Sequence, residues 1–391
     1  MGWGRVTLDP FRETYAAWER TNIARHWASR FRTRLLSSYK LRLVRKALTA
    51  RSEAFLEFSV RPPLLRARIH HVHGPRTIDY ERDELLVLCV VRNGAQHVPA
   101  FLEHHLSLGA THIVLLDNDS TDDTIDLARG FDRVTILRTR CPYRAYETPM
   151  KRYLVDRFSR DRWALIADID EHFDYPFSDV LGVRELLAYL NRHSYTAVVA
   201  QMLDLFSDRP LRSSATTPED SLKGAHVYYD ISNIRKTEYG FGMLSNSNIK
   251  MHSGGIRKTV FGTDNGLTKA ALVLASRASD LFAGWHHAEH ALIADFTCVL
   301  LHYPFLGTFY EKVREAVQTR RYGASAGHEY IKYWIRLKDD PDLCLKRDTA
   351  SLFAGVNALL DTGFLTVSPQ YLRWVDAAQT NLGSCPTKYW R

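Results

Sequence analysis

The chain has 391 residues, of which 45% are hydrophobic and 12% aromatic, and its formal net charge at pH 7 is +8. This composition excludes an intrinsically disordered protein, and the length accommodates one large core with additions or two domains. Its five cysteines lack the Cys-x-x-Cys spacing of a zinc ribbon, and neither a signal-peptide core nor a run of about 18 apolar residues is found, so we predict a cytoplasmic protein.

The positive charge is concentrated at the start of the chain. Residues 1–78 contain 16 Lys and Arg against 5 Asp and Glu, which leaves 36 against 39 in the rest. A basic surface over the whole protein is therefore not indicated, and we predict no nucleic-acid partner. Residues 25–48 have a helical period. They form either an interfacial helix that contacts anionic lipid at the inner face of a membrane, or a basic helix packed on the main domain.

From residue 79 onward, short apolar runs alternate with helical patterns. Strands are predicted at residues 84–91, 111–117, 133–139 and 162–170, with helices between them. This alternation is typical of an α/β protein with a doubly wound, mostly parallel sheet, which binds ligands at the carboxyl ends of its strands. The acidic cluster at residues 168–171 falls at such an end.

The second half of the chain continues with strands at residues 196–206 and 296–305, separated by a polar loop at 207–224 that is long enough to be a lid. A capping box of Thr308 and Glu311 predicts the start of a helix. The tail is predicted to be helical, either as packing or as an acceptor-side subdomain. We thus predict three regions, at residues 1–78 (basic and helical), 79–322 (the α/β domain) and 323–391 (helical).

The strongest chemical signal is the stretch "WALIADIDEHF" at residues 163–173. If the strand continues to its end, alternation points Asp168 and Asp170 to the same side. Two neighbouring carboxylates repel each other unless a cation lies between them. Oxygen ligands of this kind suit Mg²⁺ or Mn²⁺, which complete their coordination with water and phosphate oxygens. A polar strand end without a metal is the alternative interpretation.

This stretch, together with "LLVLCVVRNGAQHVPAFLEHHLSLGATHIVLLDNDSTDDT" at residues 85–124, resembles the family-2 glycosyltransferases of the GT-A fold. The resemblance extends to "SGGIRKTVFG", "LTKAALV" and "FTCVLLHYPFLGTFYEKVREA", and it covers about residues 84–322. It implies a GT-A fold and a nucleotide-sugar donor. It also implies a Mn²⁺ or Mg²⁺ cofactor and a glycan or lipid-linked acceptor in surface polysaccharide or glycoconjugate synthesis.

The resemblance also assigns roles to individual positions. Gly254 and Gly255 would let the backbone approach the ligand. Glu171 would support the metal site or orient the acceptor. The expected metal ligands are Asp168, Asp170 and His302. The expected donor-binding residues are Arg92, Asn93, Asp117, Asn118 and Asp168, with Arg257, Lys258 and Lys269 as clamps for the leaving diphosphate.

One expected feature is missing. Family-2 enzymes commonly carry a Glu-Asp pair after the glycine loop, and its aspartate deprotonates the acceptor. The corresponding stretch here is "GWHHAEH", which leaves Glu289, His287 and Asp204 as candidate bases. The predicted function is an inverting, metal-dependent glycosyltransferase. A non-catalytic nucleotide-sugar-binding protein and a nucleotidyltransferase are the alternatives.

Overall fold

The computed structural model describes residues 55–212, 222–274, 281–282, 287–288 and 290–381. Internal contacts divide the chain between Ser59 and Val60, and the fold described below belongs to the part that begins at Val60. This division falls earlier than the predicted boundary at residue 78, which stays a prediction. The predicted basic helix at residues 25–48 lies outside the described residues.

The helices and strands follow the predicted alternation. After a π-helical turn at Leu56–Val60, the helices are α1 (Arg61–Arg66), α2 (Val98–Ser107), α3 (Thr124–Arg129), α4 (Tyr143–Phe158), α5 (Val183–Arg192), α6 (Leu222–Ala225), α7 (Ile256–Phe261), α8 (Phe309–Thr319), α9 (Ala324–Asp339), α10 (Ala358–Asp361) and α11 (Pro369–Asn381). The strands are β1 (His70–His73), β2 (Leu85–Val91), β3 (Ala110–Asp117), β4 (Val134–Arg138), β5 (Trp163–Ile166), β6 (Glu171–Asp174), β7 (Ala197–Asp204), β8 (Tyr228–Tyr229), β9 (Ile234–Glu238), β10 (Met243–Leu244), β11 (Lys250–Gly254), β12 (Thr268–Leu274), β13 (Leu281–Phe282), β14 (His287–Ala288), β15 (Leu292–His302) and β16 (Ser351–Leu352).

The main sheet has the strand order β1–β4–β3–β2–β5–β12–β7–β15–β10, and β6 pairs with β15. Strands β4, β3, β2 and β5 are parallel, as are β7, β15 and β10. Strand β12 runs antiparallel between β5 and β7, and β1 and β6 are antiparallel additions. This architecture confirms the predicted α/β fold of the GT-A type, with a mostly parallel sheet and flanking helices. Among the described helices, none has the length and apolar character that a membrane crossing requires.

Strand β1 lies within residues 1–78, the region predicted to be basic and helical. Its residues have the sequence "HHVH", and they pair with β4 at the edge of the sheet. Edge strands are only partly covered by other elements, so they need little apolar sequence and give a weak strand signal. Helix α1 also belongs to this region, and it packs on the same sheet through the fully buried Leu65.

Both faces of the sheet are covered, which explains the continuous apolar sequences of its central strands. In β2, Leu85 and Val87 pack with α2, α3, α5 and α11 on one face. Leu86 and Leu88 pack with α1 and α4 on the other face. All four side chains are at most 1% exposed. This two-sided core fixes the carboxyl ends of the strands relative to one another.

The helices after residue 322 belong to the same unit as the sheet. The ring of Tyr371, in α11, stacks on Phe296 of β15 with a centroid separation of 4.1 Å, and its hydroxyl donates to the carbonyl of Pro176. Aromatic pairs of this kind contribute about 0.5–1.5 kcal/mol beyond their buried area. Helix α9 packs on α8 and α7 through Tyr333 and Trp334. The predicted helical character of residues 323–381 is present, although these residues do not form a separate domain.

Candidate functional site

A cavity of about 1030 Å³ opens at the carboxyl ends of the central strands. Its floor is formed by the residues that follow β2, β3, β5 and β15, and its walls come from α8 and α9. Doubly wound sheets bind ligands at this edge, because the chain crosses to opposite faces there and leaves a crevice. The cavity therefore lies where the sequence predicts the ligand.

The acidic motif forms a turn rather than an extended strand. Strand β5 ends at Ile166, and the amide of Glu171 donates to the carbonyl oxygen of Asp168 at 2.9 Å. In return, the amide of Asp168 donates to the Glu171 carboxylate at 3.0 Å. The alternation argument for Asp168 and Asp170 is therefore wrong, because the backbone turns between them. The two carboxylates face different partners and do not share one cation.

Asp168 is paired with two lysines. Its carboxylate lies 2.9 Å from the ammonium of Lys269 and 3.3 Å from that of Lys151. Lys269 also donates to Glu171, whose side chain is 1% exposed. Burial lowers the pKa of Lys269, but the carboxylates of Asp168 and Glu171 outweigh it and raise the pKa overall. Lys269 and Asp168 are thus paired with each other in this structure, and their roles as diphosphate clamp and metal ligand stay predictions.

Asp170 lies at the start of a chain of charged groups that crosses the carboxyl ends of three strands. Its carboxylate is 3.6 Å from Nε2 of His302 and 3.1 Å from the ammonium of Lys312. The Nδ1 atom of His302 is 2.6 Å from Asp204, whose second oxygen accepts from Arg257 at 2.8 Å. Burial lowers the pKa of His302, but the carboxylates of Asp170 and Asp204 raise it to about 9.

The donor set decides whether a divalent cation fits. No group of three His, Cys, Asp or Glu side chains in the described part of the chain is arranged to hold one. Asp170 and His302 supply two donors, and Asp204 fixes the orientation of the imidazole as outer partners of metal-bound histidines do. Mg²⁺ commonly takes only one or two protein ligands and completes its shell with substrate phosphates and water. Asp170 and His302 could thus hold a cation that arrives with a diphosphate.

One end of the cavity lies beside β2 and β3. The guanidinium groups of Arg92 and Arg321 donate to the backbone and side-chain oxygens of Asn118 at 3.5 and 3.4 Å. The Asn118 amide donates in turn to the carbonyl of Cys141 at 2.8 Å. Asn93, Arg92, Asn118 and Arg321 all line the cavity. The structure thus brings three of the predicted donor-binding residues together.

Asp117 has a different role from the predicted one. It is fully buried, its carboxylate accepts from the amide of Ser120, and it lies 3.3 Å from Arg138. It is not among the described residues that line the cavity. Asp117 thus holds the turn after β3, whereas its neighbour Asn118 lines the cavity.

Several cavity residues have no counterpart in the sequence analysis. Lys312 comes from α8, and Tyr143 is the first residue of α4. The guanidinium of Arg321 lies over the Tyr143 ring at 5.3 Å, and the rings of Tyr322 and Tyr330 stack at 4.6 Å. Such residues carry no local motif, because helices distant in the sequence bring them to the cavity. In the sequence, the one feature that links Lys312 to the site is its position ten residues after His302.

The structure describes two of the three candidate bases. Both oxygens of Asp204 are occupied by His302 and Arg257, and although burial raises the pKa of Asp204, Arg257 and His302 lower it overall. His287 stacks on Phe241 at 3.6 Å and is not among the described cavity residues. This geometry contradicts the assignment of either residue as the base. Glu289 lies outside the described residues, as does half of the predicted lid, residues 213–221.

The turn formed by Gly254 and Gly255 places the side chain of Arg257 in the cavity. Gly254 and Gly255 have φ values of +99° and +68°, and they turn the chain from β11 into α7. Neither glycine is among the described residues that line the cavity, whereas Arg257, two residues later, is. Lys258 points elsewhere and pairs with Asp264 at 3.2 Å, so its assignment as a diphosphate clamp is also corrected.

Gly254→Ala should lower the free energy of unfolding by about 1–3 kcal/mol, because the new side chain would occupy a conformation that L residues avoid. Its Cβ would also lie 2.5 Å from the carbonyl oxygen of Asn233. Gly240→Ala is the matched control, since nothing lies within 4 Å of its Cβ. Urea denaturation of both variants tests the prediction. Equal stability of the two would show that the turn does not need Gly254.

Comparisons with known proteins give little family information. No protein-family model matches the sequence, and no curated protein matches it. A solved structure described as UDP-glucose pyrophosphorylase complexed with UDP-glucose aligns over 77% of this chain and 98% of that chain. The two chains share 6% sequence identity, and the TM-score is 0.22.

Proposed function

We propose that this protein is a metal-dependent, inverting glycosyltransferase that moves a sugar from a nucleotide-sugar donor to an acceptor hydroxyl. The observation that carries the proposal is the pairing of Asp170 with His302, which Asp204 orients, beneath a large cavity at the carboxyl ends of the strands. A diphosphate needs cationic groups and a site for a cation at one place. Asp170, His302 and Lys312 meet both needs.

The cavity suits a nucleotide sugar together with an acceptor. Ligand sites for drug-sized molecules measure about 300–1,000 Å³, and this cavity of about 1030 Å³ is at the top of that range. Arg92 and Arg321 lie at one end beside Asn118. Their guanidinium groups match phosphate oxygens in a planar, two-pronged geometry. We assign this end to the nucleotide and the end beyond Asp204 to the acceptor.

Each residue near Asp170 has a distinct task in this proposal. Lys312 faces the leaving diphosphate and stabilises its negative charge. Asp204 keeps the Nε2 atom of His302 directed at Asp170. Asp170 and His302 would hold Mn²⁺ or Mg²⁺, and a bound cation of this kind would neutralise the diphosphate as its bond to the sugar breaks.

The acceptor and the location in the cell follow from the same proposal. We propose a glycan or a lipid-linked acceptor, and a role in surface polysaccharide or glycoconjugate synthesis at the cytoplasmic side. Contact with a membrane surface through residues 25–48 remains a prediction from the charge of that segment.

A panel of UDP-, GDP-, dTDP- and CMP-sugars, titrated by calorimetry with Mn²⁺ present, tests the donor site. We expect one nucleotide class to bind, and Lys312→Met to weaken its binding roughly 10- to 100-fold, since a charge-assisted hydrogen bond contributes about 1.5–3 kcal/mol. Lys258→Met is the control, because Lys258 pairs with Asp264 and is not among the described cavity residues. Lack of binding to every donor, or equal effects of both substitutions, would contradict the proposal.

A further inference from the structure

The acceptor end of the cavity is closed by α9, which comes from the C-terminal region outside the stretch that resembles glycosyltransferases. This helix directs Glu329 into the cavity beside Arg257. Resting on the glycosyl transfer proposed above, we propose that Glu329 is the base that takes the proton from the acceptor hydroxyl. The carboxylate that the sequence lacks after the glycine loop is thus supplied by a later helix.

The hydrogen bonds of Glu329 leave one of its oxygens available. Its Oε1 atom accepts from the hydroxyl of Tyr333 and lies 3.5 Å from the guanidinium of Arg257. Its Oε2 atom has no hydrogen-bond or ion-pair partner among the described residues. The side chain is 17% exposed, and it is exposed into the cavity. A general base needs a fixed orientation and one oxygen that can take up a proton. Tyr333 and Arg257 orient Glu329 through Oε1, and Oε2 is the oxygen that can take up the proton.

The other carboxylates near the reacting end of the cavity are paired with cationic side chains. Asp168 and Glu171 bind Lys269, and Asp170 faces His302 and Lys312.

Three carboxylates toward the rim and the nucleotide end also have partners within the protein. Asp264 pairs with lysine and arginine side chains, Glu315 lies 3.6 Å from Arg92, and Asp122 binds backbone amides of the loop after β2 and its own turn. Glu311 is exposed on the first turn of α8. Of the two described carboxylates that contact Arg257, Glu329 lines the cavity and has an available oxygen, whereas both oxygens of Asp204 are occupied.

The order of the strands puts Glu329 on the required side. Asn118 and Arg92 follow β3 and β2, whereas Asp204 and His302 end β7 and β15 on the other side of β5 and β12. A donor whose nucleotide lies beside Asn118 directs its diphosphate towards Asp170. The face of the sugar opposite the diphosphate then points to the region of Arg257 and Glu329. Inversion needs the attacking hydroxyl on that face.

The proposed step balances as a single displacement. The acceptor oxygen forms a bond to the anomeric carbon while the bond between that carbon and the diphosphate oxygen breaks. The electron pair of the broken bond leaves with the nucleoside diphosphate. The proton of the acceptor hydroxyl passes to Oε2 of Glu329, and solvent removes it after the product departs.

The test compares Glu329→Gln with Asp339→Asn in the whole chain, using the donor identified by the panel and Mn²⁺. Asp339 is an exposed carboxylate of the same helix, and it is not among the described residues that line the cavity. We expect Glu329→Gln to lower kcat at least about 100-fold, the lower range for lost general-base catalysis. The dissociation constant of the donor should change less than about twofold, because Glu329 does not face the nucleotide. Asp339→Asn should transfer sugar at the wild-type rate. Thermal melting of both variants checks that Arg257 and Tyr333 still hold the fold.

Three outcomes overturn the inference. If Glu329→Gln turns over within about threefold of the wild type while Glu289→Gln does not, the base is Glu289. If Glu329→Gln loses donor binding together with turnover, Glu329 supports the donor site and is not the base. If the wild type binds no nucleotide sugar, the proposed function itself fails, which is distinguishable because donor binding is measured separately.

Discussion

Asp170→Asn should reduce sugar transfer by at least about 100-fold, because even the outer partners of metal ligands change metal affinity or activity by about 10- to 100-fold. The substitution keeps the shape of the side chain and removes the charge that faces His302 and Lys312. In the wild type this carboxylate is only 8% exposed, so its interactions are weakly screened by solvent. Binding of Mn²⁺ in the presence of the nucleoside diphosphate should weaken in parallel, and titration calorimetry measures it independently of turnover.

Asp174→Asn is the control for this substitution. Asp174 is the last residue of β6, four residues after Asp170, and it is not among the described residues that line the cavity. It should retain wild-type transfer and Mn²⁺ binding. Full activity of Asp170→Asn, or full activity of the wild type after treatment with EDTA, would contradict the metal-dependent mechanism.

Lys269→Met should lower the free energy of unfolding by about 3–5 kcal/mol, the cost of breaking a buried ion pair by removing one partner. Lys269 and Glu171 have side chains that are 8% and 1% exposed. Without the ammonium, the Glu171 carboxylate is left in the interior with no cation in contact, so it must either remain charged at high cost or take up a proton. Urea denaturation at pH 7 measures the loss.

Two further variants separate the buried pair from a general effect of charge. The double substitution Lys269→Met with Glu171→Gln should recover part of the loss, because it leaves no uncompensated charge in the interior. Lys258→Met removes an exposed pair with Asp264 and should cost less than about 1 kcal/mol. Similar losses for Lys269→Met and Lys258→Met would show that the buried cluster does not stabilise the fold.

The central part of the fold could be predicted because its strands are buried on both faces. Each of β2 and β3 contains an uninterrupted hydrophobic run, and the helix predicted between the two strands is present as α2. The position of β12 could not be predicted in this way. It is inserted antiparallel between β5 and β7, and strand order depends on long-range pairing that local periodicity does not encode.

The candidate site shows the same division. The resemblance predicts Asp170 and His302 as metal ligands, and the structure places their side chains 3.6 Å apart, while metal binding itself stays a prediction. The partners of Asp168 could not be predicted, since Lys151 comes from α4 and Lys269 from β12. No local motif marks Glu329, because α9 reaches the cavity by packing on α8.

The most direct test of the central claim is to identify the nucleotide product by ³¹P nuclear magnetic resonance. The protein is incubated with the donor that binds, with Mn²⁺ and an acceptor extract, and in a second tube with pyrophosphate in place of the acceptor. Glycosyl transfer predicts a nucleoside diphosphate in the first tube, at a rate that Asp170→Asn abolishes, and no reaction in the second. A nucleoside triphosphate and a sugar phosphate in the second tube, with no diphosphate in the first, would contradict the account and identify a nucleotidyltransferase.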